Sequence, residues 1–69
     1  MHPTTETALR ATQRAHWRFH VRRLTTELSA AEYAHSVSQA PHETWVEVLR
    51  LHHELTQARR QLRAAGGSL

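Results

Sequence analysis

Apolar residues recur at Val48, Leu51, Leu55, Ala58, Leu62 and Ala65, at spacings of 3, 4, 3, 4 and 3. Steps of three and four average to one helical turn, so all six fall on one narrow stripe of an α-helix. The spacing predicts a helix over residues 42–65. That segment contains neither Gly nor Pro, and Glu43 and Glu47 near its start with Arg59, Arg60 and Arg63 near its end complement the helix dipole. Gly66-Gly67-Ser68 stops the helix and is expected to leave a short flexible tail at 66–69.

In the first half of the chain two periodicities compete. As a helix, Trp17, Val21, Leu24, Leu28 and Ala31 form a second stripe at spacings of 4, 3, 4 and 3. As a strand, Trp17 to Arg22 alternates apolar and polar residues. The helix accounts for more positions and predicts a helix over residues 5–38, with Glu6 set four before Arg10 in its first turns. Phe19 is the misfit, because at 100° per residue it points nearly opposite the stripe. Ser29-Ala30-Ala31-Glu32 has the form of a capping box, with Leu28 and Tyr33 at staple spacing. The first helix therefore either continues through Ser29 or kinks and restarts there.

Ser38-Gln39-Ala40-Pro41 is the one internal break, and Pro both ends a preceding helix and suits the first turn of the next. Two stripes of similar length joined by a short turn at 39–41 imply an all-α fold, an antiparallel helical hairpin in a single domain over 1–69. A hairpin covers each stripe on one side only, and at 69 residues a monomer buries only about 60% of the surface its unfolded chain exposes. There is no Cys to staple the core. The expectation is a homodimer that forms a four-helix bundle, in which Val21, Leu24 and Leu28 meet Val48, Leu51, Leu55 and Leu62 within and between chains.

All nine basic residues are Arg and all six acidic ones are Glu, and a formal charge of +3 permits an anionic partner without requiring one. The chain opens without a basic and apolar leader and has no apolar run of membrane-spanning length, so a cytoplasmic protein is expected. Catalysis has little support: no nucleophilic Cys, no glycine-rich phosphate loop and no G-x-S-x-G. Nothing calls for a cofactor. Among the seven His, His16 and His20 share a helix face, and Glu32 with His35 forms an E-x-x-H element. The further ligands a metal site needs are missing, and solvated surface His is the better reading.

Two features point to binding. Arg10, Arg14, Arg18 and Arg22 recur at i+4 beside the apolar stripe, which reads either as an anionic docking surface or as a solvated flank whose stems cover the core edge. Trp45, Val46 and Leu49 project away from the Val48, Leu51, Leu55 stripe and make the start of the second helix apolar almost all round. Either the first helix or a dimer mate covers them, or Trp45 anchors a partner, Trp being among the residues most enriched in binding hot spots.

Chain length, the Pro41 turn between two patterned helices, and Thr44-Trp45-Val46-Glu47-Val48-Leu49 at the tip together resemble the small quorum-sensing anti-activators of Mu-like Pseudomonas phages. That resemblance implies an all-helical dimer in the host cytoplasm that inhibits two host proteins. One is a LuxR-type transcriptional activator, kept from its DNA, and the other is the ATPase that drives type IV pilus assembly. Two other classes fit parts of the pattern. In a ribbon-helix-helix repressor, Arg18, His20 and Arg22 would enter the major groove from a strand at 17–22, making nucleic acid the second-choice partner. A basic amphipathic helix on a membrane surface fits least, given interrupted apolar clustering.

Overall fold

In the computed structural model residues 5–67 are described, and they form two helices, α1 over Thr5–Ser36 and α2 over Pro41–Ala64. The helices fold back on each other as an antiparallel hairpin, with no strand among the described residues. The molecule is a rod with extents of 60 × 15 × 14 Å. Residues 17–23 are helical, so the ribbon required by the repressor alternative does not form. Phe19 is 69% exposed on the face of α1 turned away from the hairpin.

α1 runs through Ser29 without interruption, and the capping-box sequence lies mid-helix instead of at a helix start. The reason is packing: Leu24 and Leu28 are buried before Ser29 and Ala31 packs on the core after it, so one stripe stays on α2 throughout. The helix ends at Ser36, slightly short of the expected boundary, and α2 already begins at Pro41. Pro fits there because the first helical residue has no intrahelical use for an N–H. The Ala40 N–H is satisfied by the Ser38 hydroxyl at 2.8 Å.

The far end of α2 is closed by a Schellman motif. The Gly67 N–H donates to the Leu62 carbonyl at 2.9 Å and the Gly66 N–H to the Arg63 carbonyl at 3.0 Å, with Gly66 at φ +86°. Ser68 and Leu69, the rest of the expected tail, lie outside the described residues.

Leu24, Leu28, Val48, Leu51, Leu55 and Ala58 form one buried cluster, flanked by half-buried Trp17, Val21 and Ala31. Leu62 and Ala65 are buried further along α2. Each fully buried Leu contributes on the order of 1.5–3 kcal/mol relative to an exposed one. Two polar contacts pin the register at the ends of this seam. Arg14 donates from Nη1 to the Ala65 carbonyl at 3.3 Å, and His35 Nδ1 meets Thr44 Oγ1 at 2.8 Å. The same register at both ends sets Leu24 level with Leu55.

The seam uses both stripes inside one chain. The expectation that the same Leu and Val residues also pair chains meets a physical obstacle, since Leu24, Leu51, Leu55 and Leu62 have no more than 3% of their surface left. Any contact with a second chain has to use other faces.

Truncating Leu55 to Ala should lower unfolding free energy by about 2–5 kcal/mol. Gly66→Ala should cost only about 1–2 kcal/mol, because Ala at positive φ crowds its own Cβ. Urea unfolding followed by far-UV circular dichroism measures both, and a Gly66→Ala chain as stable as the original would refute the cap.

Candidate partner-binding surface at the hairpin tip

The turn places the ends of both helices side by side, and the inner contact there is polar. Thr44 Oγ1 lies 3.3 Å from the Ala40 carbonyl and 3.2 Å from that of Pro41, either of which can take its proton. The same hydroxyl lies 2.8 Å from His35 Nδ1, a hydrogen bond whose direction follows the histidine tautomer. The Trp45 ring packs against the His35 ring at a centroid distance of 5.4 Å and a 40° tilt. One edge of the indole is thereby held in place while 47% of the residue stays open to solvent.

Val46 and Leu49 are also about half exposed, and Leu49 follows Trp45 by four residues and Val46 by three. The three therefore adjoin on the outer face of α2 near the turn. At the same end Tyr33 of α1 and Val37, just past its last residue, are exposed. Neither was singled out as a surface from the sequence. For Tyr33 the S-x-x-E pattern drew the eye to a staple with Leu28, but Leu28 is buried while Tyr33 is 71% exposed.

Behind Leu49 the surface becomes polar. Arg50 is clamped between Glu47, which accepts two hydrogen bonds, and Glu54, at 2.6 Å from Arg50 Nη1. The hydrogen bond from Arg50 lowers the Glu47 pKa below the usual carboxylate range, and the same bond raises that of Arg50. Across the seam His52 Nε2 lies 3.8 Å from the Glu32 carboxylate.

The arginine row does not join this surface. Arg22, its member closest to the tip, lies about 18 Å along the rod from the level of Trp45 at 1.5 Å per residue. Its members also differ in state. Arg14 is engaged at the Ala65 carbonyl and Arg10 lies 3.7 Å from Glu6, whereas Arg18 and Arg22 meet no carboxylate among the described residues. Arg59, Arg60 and Arg63 line an open groove with Thr56 at the opposite end from the tip. His16 and His20 stack at 6.2 Å, and the described residues hold no group of three His or Glu placed to share a metal ion. No described helix is long and apolar enough to cross a membrane.

No family model matches this chain, and neither a curated protein nor a solved structure is significantly similar to it.

Glu47 should titrate below an ordinary glutamate, and Arg50→Ala should return it towards the usual range, as followed by carboxyl NMR shifts. A carboxylate whose pKa falls on folding contributes stability above its unfolded pKa, and loses it as pH drops through the folded value. Both groups are exposed, so solvent screening keeps the effect small.

Proposed function

We propose that this chain is a small non-enzymatic binding protein that inhibits protein partners, docking through Trp45, Val46 and Leu49, and that it works as a homodimer in a four-helix bundle. The carrying observation is that the core closes within one chain and yet leaves these three apolar residues about half exposed together. Single exposed apolar residues are ordinary, but an adjoining Trp, Val and Leu on one rigid helix face form a patch of the kind that marks interaction sites.

The indole is also held by His35, so it loses less freedom on binding than a free side chain would. The anti-activator resemblance supplies the proposed targets, a LuxR-type quorum-sensing activator and the type IV pilus assembly ATPase, both met in the host cytoplasm. Arg18, accessible and without a carboxylate partner among the described residues, would serve an acidic rim of such a partner. Rim charges act mainly on association rate.

Titration of the purified chain into each purified target, followed calorimetrically, tests the reading. Trp45→Ala should weaken binding by about 30-fold or more, as expected for an aromatic anchor. Helix content should be unchanged, because the buried stripe is untouched. Wild-type chain that binds neither target overturns the assignment of partners. A Trp45→Ala chain that folds and binds as tightly as wild type overturns the tip as the docking surface.

A further inference from the structure

The outer face of α1, continued by Val37 whose N–H still donates to the Tyr33 carbonyl at 3.3 Å, carries a second stripe, opposite the one in the seam. Ala15, Phe19, Thr26, Ala30, Tyr33 and Val37 are all exposed, and Arg22 stands between Phe19 and Thr26. With Arg22 included, the spacings are 4, 3, 4, 4, 3 and 4. That sequence of steps reads the same in both directions from Thr26. A stripe symmetric about one residue is self-complementary in an antiparallel pairing, as a two-fold interface requires.

We propose that two copies of this chain pair antiparallel through the outer face of α1, with the two-fold axis at Thr26. The proposal rests on the homodimer reading above and assigns the face that forms it, with the four helices side by side in place of a bundle around one shared core. In this register Phe19 meets Tyr33 of the second copy, Ala15 meets its Val37, and Arg22 lays its stem over Ala30. Thr26 suits the axis because its hydroxyl donates to the Arg22 carbonyl at 3.1 Å, leaving the methyl to face its counterpart. A shallow groove lined by Phe19, Arg22, Arg23, Thr26 and Glu27 already lies at this place.

Charge supports the same pairing at two scales. Arg23 and Glu27 sit on the same flank of the stripe, and neither has an ion-pair partner among the described residues; Arg23 bonds only to His20 Nδ1 at 3.0 Å. In the antiparallel register the Arg23 of each copy lies on the same flank as the Glu27 of the other, offset by about 3 Å along the axis and within reach of an arginine side chain, twice by symmetry. Along the whole rod, the half remote from the turn (5–23 and 56–67) holds eight Arg against one Glu, or +7. The turn half (24–55) holds one Arg against five Glu, or −4, which together return the formal +3. Antiparallel pairing about Thr26, which lies nearer the turn than the other end of the rod, lays the part of each positive half beside the axis along the negative half of the other copy, with the first turns of each α1 extending past the other's turn. A parallel pairing would set like against like.

The chain has no Cys, which makes a cross-linking test clean. A residue on a two-fold axis meets itself. With helix axes about 8–10 Å apart and Cα atoms at a radius of about 2.3 Å, facing Cα atoms lie about 3.4–5.4 Å apart, overlapping the range a disulfide spans. Thr26→Cys should give a covalent dimer on mild oxidation, and Thr56→Cys, equally exposed on α2, should not. Phe19→Ala removes two aromatic pairs per dimer and should weaken dimerisation about tenfold or more in sedimentation equilibrium, with unchanged helix content. Arg23→Glu and Glu27→Arg should each weaken the dimer, and the double swap should restore it.

A dimer that cross-links no better at Thr26 than at Thr56, and that tolerates Phe19→Ala, overturns this interface and leaves the homodimer reading standing. A wild-type chain that stays monomeric at hundreds of micromolar overturns both.

Discussion

Everything else in this molecule depends on the narrowness of its seam. A stripe stepping by three and four gives each helix one line of contact, and Leu24 and Leu28 lie along Leu51 and Leu55 with almost no surface remaining. Such a line is satisfied by a single opposing helix. The hairpin therefore closes within one chain, and the residues outside the line are free of any duty to the core. Polar contacts at the ends prevent the two helices from sliding: His35 with Thr44 beside the turn, and Arg14 with the Ala65 carbonyl at the other end.

A two-helix rod has no interior beyond that seam, so its chemistry is that of its outer faces. There the distribution of charge is more telling than its sum. Glu is concentrated toward the turn and Arg away from it, so a chain with a modest formal charge carries two ends of opposite sign. Debye screening confines each end's field to about 8–10 Å in physiological salt, much less than the length of the rod. A partner at the tip thus meets an acidic and apolar surface, and one at the far end meets an arginine surface. The two cannot be read as a single basic protein.

The seam was legible in the sequence because hydrophobic period is the strongest signal a helix leaves, and the five buried residues of α2, with buried Ala65 just past its end, are the six that carried the 3, 4, 3, 4, 3 rhythm. The short motifs misled. Ser29 to Glu32 satisfies a capping pattern, yet a local cap is worth about 1 kcal/mol, less than the burial of Leu28 and the packing of Ala31 that keep α1 straight through it. The strand-like alternation at 17–22 lost for the same reason. Phe19 is apolar there because it belongs to the outer stripe of a helix. The His35, Thr44 and Trp45 cluster could not be read at all, because it joins residues on either side of a turn whose geometry periodicity does not encode.

Trp45 and Thr26 lie on different helices and on different faces, which would keep the proposed recognition surface apart from the proposed assembly surface. In an antiparallel pairing through α1, each Trp45, level with Ala34, lies about 8 residues, or about 12 Å, from the two-fold axis, so the two indoles stand roughly 24 Å apart along the rod. Neither tip is covered by the pairing, and each presents its own Trp45, Val46 and Leu49. A dimer of this shape is a spacer with one docking surface on either side of its two-fold axis. Against a partner that displays two copies of its site at that separation, the second contact would form at a raised effective concentration, tightening inhibition without any new contact at the site. Against a partner with other spacing, only one tip would engage. The length of α1 beyond Thr26, set by where Pro41 starts the next helix, would then select among partners by reach as well as by chemistry.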